Sequence, residues 1–152
     1  LATAPGPWKI CSWHIPHPLM QVGGKEDDVP WGPYEECRKA GAIIATGHEH
    51  SYSRTHLMDN FATQKFVKTP VGPLVIRKGR TFAFVSGLGG ASVRVQKRGD
   101  AWWAATYTKT QNAQPGALFC TFHSAPESKA ECVFIDVRGR RIDPFEVVSQ
   151  TN

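Results

Sequence analysis

The sequence predicts an α/β fold, a mixed β-sheet with few helices, and three observations carry that prediction. Residues 8–13 and 42–46 are short apolar runs of strand character, and each delivers a histidine where the strand must end. Between them lies one helix signal, over residues 33–40. Toward the C-terminus, residues 117–123 and 131–137 alternate as paired strands do. With 14 glycines and 11 prolines in 152 residues, the chain is punctuated into short elements joined by many turns.

Residues 1–7 are small and Pro/Gly-rich and read as a lead-in to the first strand. Residues 16–33 form a long loop broken by Pro16, Pro18, Gly23, Gly24, Pro30, Gly32 and Pro33. Its middle, Lys25-Glu26-Asp27-Asp28, is charged and expected to be solvated. A loop of this length beside a site commonly covers or gates it. Pro33 suits a first helical position, Glu35 and Glu36 lie at the positive end of the helix, Arg38 and Lys39 at the negative end, and Gly41 ends it. The strand at 42–46 follows at once. A β-loop-α-β unit has parallel strands by default, which puts the C-terminal ends of both strands on one edge. Both runs, Lys9 to Trp13 and Ala42 to Thr46, are expected to be buried.

Residues 65–68 and 74–77 are candidate strands, 81–86 a firm one, and 87–90 a glycine-rich turn that lacks the Lys-Ser/Thr of a phosphate-binding loop. Residues 92–97 alternate and are a further candidate strand. The aromatic stretch 101–107 reads as packing. In the late hairpin Val133, Ile135 and Val137 are expected to line one face, residues 138–141 turn the chain, and 142–148 return.

Hydrophobic residues make up 41% of the chain and charged residues 20%, a globular balance that excludes disorder. No apolar run approaches the roughly 20 residues of a membrane span. The formal charge of +5 suits anionic ligands such as phosphate esters, but no basic helical stripe or nucleic-acid motif accompanies it. Neither a nucleic-acid partner nor a membrane is therefore expected. Four cysteines, Cys11, Cys37, Cys120 and Cys132, show no C-x-x-C spacing; they allow three disulfide pairings or free thiols, and Cys120 and Cys132 fall in strands that could be neighbours.

The chemistry-bearing stretch is Gly47-His48-Glu49-His50-Ser51-Tyr52-Ser53-Arg54, with His14-Ile15-Pro16 upstream of it. Three imidazoles at two strand ends make a candidate metal site, because neutral imidazole is a common ligand for zinc and iron. Ligands gather outside the carboxyl ends of strands in open α/β sheets. The stretch at 47–54 resembles the G-H-x-H-x-Y-x-R motif of calcineurin-like metallophosphoesterases, in the purple acid phosphatase branch, and His14-Ile15-Pro16 resembles the H-x-P that ends an earlier strand in that family. Residues 81–90 resemble the family's strand and glycine-rich turn, and 132–147 its closing hairpin. The D-x-H, G-D-x-x-[DY] and G-N-H-[DE] motifs that open the family's metal site do not occur here. The resemblance therefore implies half of a metallophosphoesterase β-sandwich core, with residues 1–152 a single domain that forms the C-terminal portion of a catalytic domain.

It implies a two-metal site of iron, zinc or manganese, divalent or mixed-valence, that hydrolyses phosphate mono- or diesters. His14 and His48 would bind one ion and His50 the other, with the bridging carboxylate supplied by a missing N-terminal half or a partner chain. For this chain the expectation is weak or single-metal binding. Tyr52 and Arg54 would contact substrate or support the loop. His17, three residues after His14, is a candidate catalytic residue from its position alone, as a substrate-contacting acid or an extra ligand, since its spacing does not match the family's active-site histidines. Glu49 is expected to orient backbone or face solvent. No signal peptide is visible; the family points to a secreted or periplasmic protein. The competing reading is a non-catalytic metal-binding or structural fragment of the same fold.

Overall fold

The computed structural model describes residues 3–68, 71–124 and 126–151. The described residues are mostly β-sheet, with one α-helix among them. Strands β1 (Ile10–Ser12), β2 (Ile43–Thr46), β3 (Tyr52–Thr55), β7 (Ala83–Ser86) and β8 (Trp103–Tyr107) form a five-stranded mixed sheet in the order β1-β2-β7-β3-β8. Strands β6 (Leu74–Arg77), β9 (Gly116–Phe122), β10 (Lys129–Asp136) and β11 (Arg141–Gln150) form a second sheet in the order β6-β11-β10-β9. A two-stranded ribbon, β4 (Leu57–Asn60) with β5 (Lys65–Val67), completes the strands.

The five-stranded sheet is the middle layer. On one face Ile43 of β2 and Phe82 meet Leu74, Ile76, Ala130 and Val147 of the second sheet. On the other, Ile44 and Ala83 pack with Met20, Phe61, Trp102 and the buried side of α1 (Gly32–Lys39), Tyr34 and Cys37. A strand covered on both faces reads as a continuous apolar run rather than an alternation, which is why residues 42–46 are apolar at successive positions. The helix has the charges expected of it, Glu35 in the first turn and Arg38 and Lys39 in the last. It closes at Gly41, where φ is +71° and a Cβ would approach Thr151 Cγ2 to 2.6 Å, so both backbone conformation and space require glycine.

The four cysteines form two disulfides. Cys11–Cys37 ties β1 to α1, and Cys120–Cys132 links residues directly opposite in the β9–β10 ladder. β1 pairs parallel with β2, and β2 parallel with β7. Their C-terminal ends therefore lie along one edge of the sheet. β3 runs antiparallel to β7, so β3 begins at that same edge.

Two expectations require correction, and the inward face of β10 is added to them. Lys9 is buried, but Ile10 is 51% exposed and Ser12 is exposed, because β1 is an edge strand with a neighbour on one side only. Residues 92–97 form no strand; their backbone bonds to loops instead, Arg94 N to His50 O and Lys97 N to Val22 O. The inward face of β10 carries Ala130, Cys132, Phe134 and Asp136, whereas Val137 is 71% exposed. The inner row thus ends in a carboxylate, while Val133 on the other face is also buried.

That carboxylate is fully satisfied. Asp136 accepts from the backbone N–H of Arg138 (2.9 Å) and Arg140 (3.0 Å), from Arg140 Nε (2.7 Å) and from the Tyr107 hydroxyl (3.0 Å). Burial opposes its ionisation, but these donors outweigh burial and hold its pKa down at about 2. An unfolded Asp titrates near about 3.9. The folded pKa is the lower one, so the contribution to stability is complete above that value and is lost as pH falls from about 4 toward 2. Replacing it by Asp136→Asn should lower the melting temperature at neutral pH and flatten its fall between about pH 4 and 2. An unchanged acid slope in the variant would contradict this account.

Candidate functional site

The four strand ends converge on one cavity of about 340 Å³, lined by His14, Gly47, His48, His50, Ser86, Gly87, Gly89 and Ala91. His14 follows β1, His48 follows β2, Ser86 and the glycines end β7, and His50 precedes β3. The parallel ladder continues past the strands, Trp13 N donating to Ala45 O and Gly47 N to His14 O, which fixes His14 beside the start of the 47–51 loop.

That loop is built from two successive i→i+2 hydrogen bonds, Glu49 N to Gly47 O (2.6 Å) and Ser51 N to Glu49 O (2.7 Å). His48, at the centre of the first, has φ of +59°, a left-handed conformation uncommon for a residue with a Cβ. Such strain persists only where the surroundings impose it. They do so here. Gly87 N donates to Ser51 O, and a Cβ on Gly87 would fall 1.9 Å from Glu49 O, so the β7 turn presses directly on the histidine loop. Residues 87–90 thus shape the cavity, a role beyond the plain turn expected of them. Glu49 does not face solvent. It is fully buried, with Oε2 accepting from Lys25 N at 3.4 Å and Oε1 lying 3.6 Å from Arg94 Nε, too long for a hydrogen bond.

His14 Nε2 and His48 Nδ1 are 3.3 Å apart, with the rings edge-to-face. The other nitrogen of His48, Nε2, meets Asp27 Oδ2 at 2.7 Å, while Lys25 Nζ donates to His48 O at 2.8 Å. The segment 25–28 is therefore not simply solvated; two of its charged side chains reach the site. The hydrogen bond from His48 is the main cause that holds the Asp27 carboxyl below its ordinary pKa. His50 Nδ1 contacts Ser92 O at 2.8 Å. A carbonyl only accepts, so Nδ1 carries the proton and Nε2 keeps its lone pair.

The donor set fits one edge of a coordination sphere. Metal–imidazole bonds of about 2.0–2.1 Å at tetrahedral angles separate two ligand nitrogens by about 3.3 Å, which is the His14–His48 spacing. Among the described residues no group of three or more His, Cys, Asp or Glu side chains is arranged to hold a metal ion.

The remaining candidates do not line this cavity. His17 stacks on Trp31 with centroids 3.6 Å apart, and its Nδ1 accepts from Leu19 N at 3.0 Å, capping the short 3-10 turn Pro18–Met20. Burial lowers its pKa. Tyr52 is fully buried, and its hydroxyl donates to Asp143 Oδ2 at 2.7 Å. Arg54 donates two 2.7 Å bonds to the same carboxylate and lies 4.3 Å over the Phe145 ring. Both residues therefore bind the five-stranded sheet to β11 and do not line the histidine cavity. Asp143 and Asp27 are not recognisable as partners from sequence, because each lies at least 21 residues from the side chain it binds.

Two outcomes follow from this geometry. The Arg54 and Asp143 side chains are 9% and 12% exposed, so Asp143→Ala leaves a buried guanidinium unpaired and should cost about 3–5 kcal/mol in urea unfolding; a loss under about 1 kcal/mol would show that the pair does not hold the sheets. For Gly87→Ala, the added methyl must displace the 49–51 backbone at a cost of about 1–3 kcal/mol and should shift the ring resonances of His48 and His50. Unmoved resonances would contradict the close approach.

No protein-family model matches the sequence, and no curated protein matches it. Among solved structures the fold is similar to that of the purple acid phosphatase PPD1 isolated from yellow lupin (Lupinus luteus) seeds, with a TM-score of 0.71, 19% sequence identity and 93% of this chain covered. The match takes in 25% of that chain, so this chain spans about a quarter of the length of the phosphatase whose fold it shares.

Proposed function

We propose that the chain carries part of a metal-dependent phosphoesterase site of the purple acid phosphatase type, as the C-terminal portion of a larger catalytic unit. The observation that carries this reading is the 3.3 Å approach of His14 Nε2 to His48 Nδ1 at the C-terminal edge of parallel strands. His14 and His48 would hold one iron, zinc or manganese ion, and His50 would offer Nε2 to a second. The bridging carboxylate and further ligands come from residues outside this chain, in an N-terminal half or a partner chain. When bound, such ions supply positive charge against a phosphoryl group and activate water. This chain's own part is to orient neutral nitrogens toward the cavity, so that the positive charge facing a phosphate mono- or diester would come from the ions. Lys25 and Asp27 place opposite charges 3.3 and 2.7 Å from His48 Nε2.

The two disulfides suit an oxidising compartment, in keeping with a secreted or periplasmic protein. Among the described residues no helix is long and apolar enough to cross a membrane. His17 is not part of the reaction in this reading, since it caps a turn and stacks on Trp31. The second reading is a non-catalytic fold half that binds a single ion; the lack of a three-ligand group among the described residues favours it for the isolated chain.

The test is metal analysis on the dialysed chain, with aryl phosphate hydrolysis followed alongside. The expected result is weak retention of at most one ion, lost in His14→Ala and His48→Ala, with slow hydrolysis. Metal retention unaffected by either substitution would remove the site. Two tightly held ions with fast turnover proportional to protein concentration would show instead that this chain completes the site by itself.

A further inference from the structure

We propose that Asp27 is a positioning residue for His48: its carboxylate accepts the Nε2 proton and so presents the Nδ1 lone pair to His14 and the cavity. The inference rests on the metal reading above for its functional consequence, but its geometric content stands apart from it.

Two side chains compete for His48 Nε2. Lys25 Nζ lies 3.3 Å away and Asp27 Oδ2 2.7 Å away. An ammonium can only donate, so Lys25 favours a bare Nε2 with the proton on Nδ1. An ionised carboxylate can only accept, so Asp27 favours Nε2–H with Nδ1 bare. The shorter contact is to Asp27, and Lys25 is already engaged at 2.8 Å with the His48 carbonyl. The balance therefore lies with Nε2–H, the tautomer that leaves the nitrogen facing His14 free to bind an ion. Metal-ligating histidines are commonly fixed in this way through the other ring nitrogen.

Asp27 itself is held in place from behind. Gln21 is fully buried, and its Nε2 donates both to Pro16 O (3.1 Å) and to Asp27 O (3.0 Å), pinning the loop across its width. The Asp27 side chain remains 47% exposed. Removing its carboxylate should therefore leave the fold intact and change the ring alone.

The test uses the whole chain with Asp27→Ala and Asp27→Asn variants, each checked for an unchanged melting temperature. Long-range 1H–15N spectra of the metal-free proteins at about pH 8, where imidazole is neutral, read the His48 tautomer. Calorimetry reads zinc affinity. The expected result is Nε2–H in the parent chain, a shift toward Nδ1–H in Asp27→Ala, and recovery in Asp27→Asn, whose amide oxygen still accepts. Zinc affinity should fall about 10–100-fold in Asp27→Ala and recover most of the loss in Asp27→Asn. An unchanged tautomer in Asp27→Ala overturns the proposal, as does zinc affinity that Asp27→Ala leaves unaltered. If the parent chain binds no zinc, the metal reading fails, and the tautomer alone then decides the role of Asp27.

Discussion

The bidentate pair between Arg54 and Asp143 is the constraint on which the rest depends. It joins β3 of the middle sheet to β11 of the outer one, and the Tyr52 hydroxyl adds a third bond to the same carboxylate. A buried guanidinium demands such a partner, since an unpaired charge in the interior is strongly destabilising. The same eight-residue stretch does two jobs. Its second half anchors the sheets, and its first half, leaving the start of β3, presents His48 and His50. Fixing β3 against β11 thereby fixes where the histidine loop begins.

From that anchor the site follows by geometry. Parallel β1, β2 and β7 bring three C-terminal ends to one edge, and antiparallel β3 brings its own beginning there. The loop between β2 and β3 is too short to relax. It accepts a left-handed His48 and packs its Glu49 carbonyl against Gly87. The outcome is two imidazole nitrogens at a spacing that suits one ion and a third imidazole on the same cavity wall. The likeness to a phosphatase at 19% identity establishes a shared fold; the chemistry has to be argued from these nitrogens.

Much of this was legible in the residues. The apolar run 42–46, the helix charges around 33–40 and the breaker-bounded run 8–13 carried the β-loop-α-β unit, because burial, capping and turn formation are local and leave local marks. Ile10 was misjudged because an edge position depends on which strand lies beside it, and no local pattern encodes that. Which face of β10 turns inward is not written in its alternation, because Asp136 stands in the inner row and is sustained there by Tyr107 and Arg140, which are remote or beyond the turn. For the same reason no local pattern marks Asp27 or Asp143: each acts on a partner at least 21 residues away, across a loop or between sheets.

The most direct measurement is a crystal of the chain soaked in zinc, with anomalous diffraction recorded at the zinc edge. The account predicts a peak bonded to His14 Nε2 and His48 Nδ1, with Asp27 still on His48 Nε2. A cavity without a peak while zinc binds elsewhere, or a peak held by His48 Nε2 with Asp27 displaced, would contradict it.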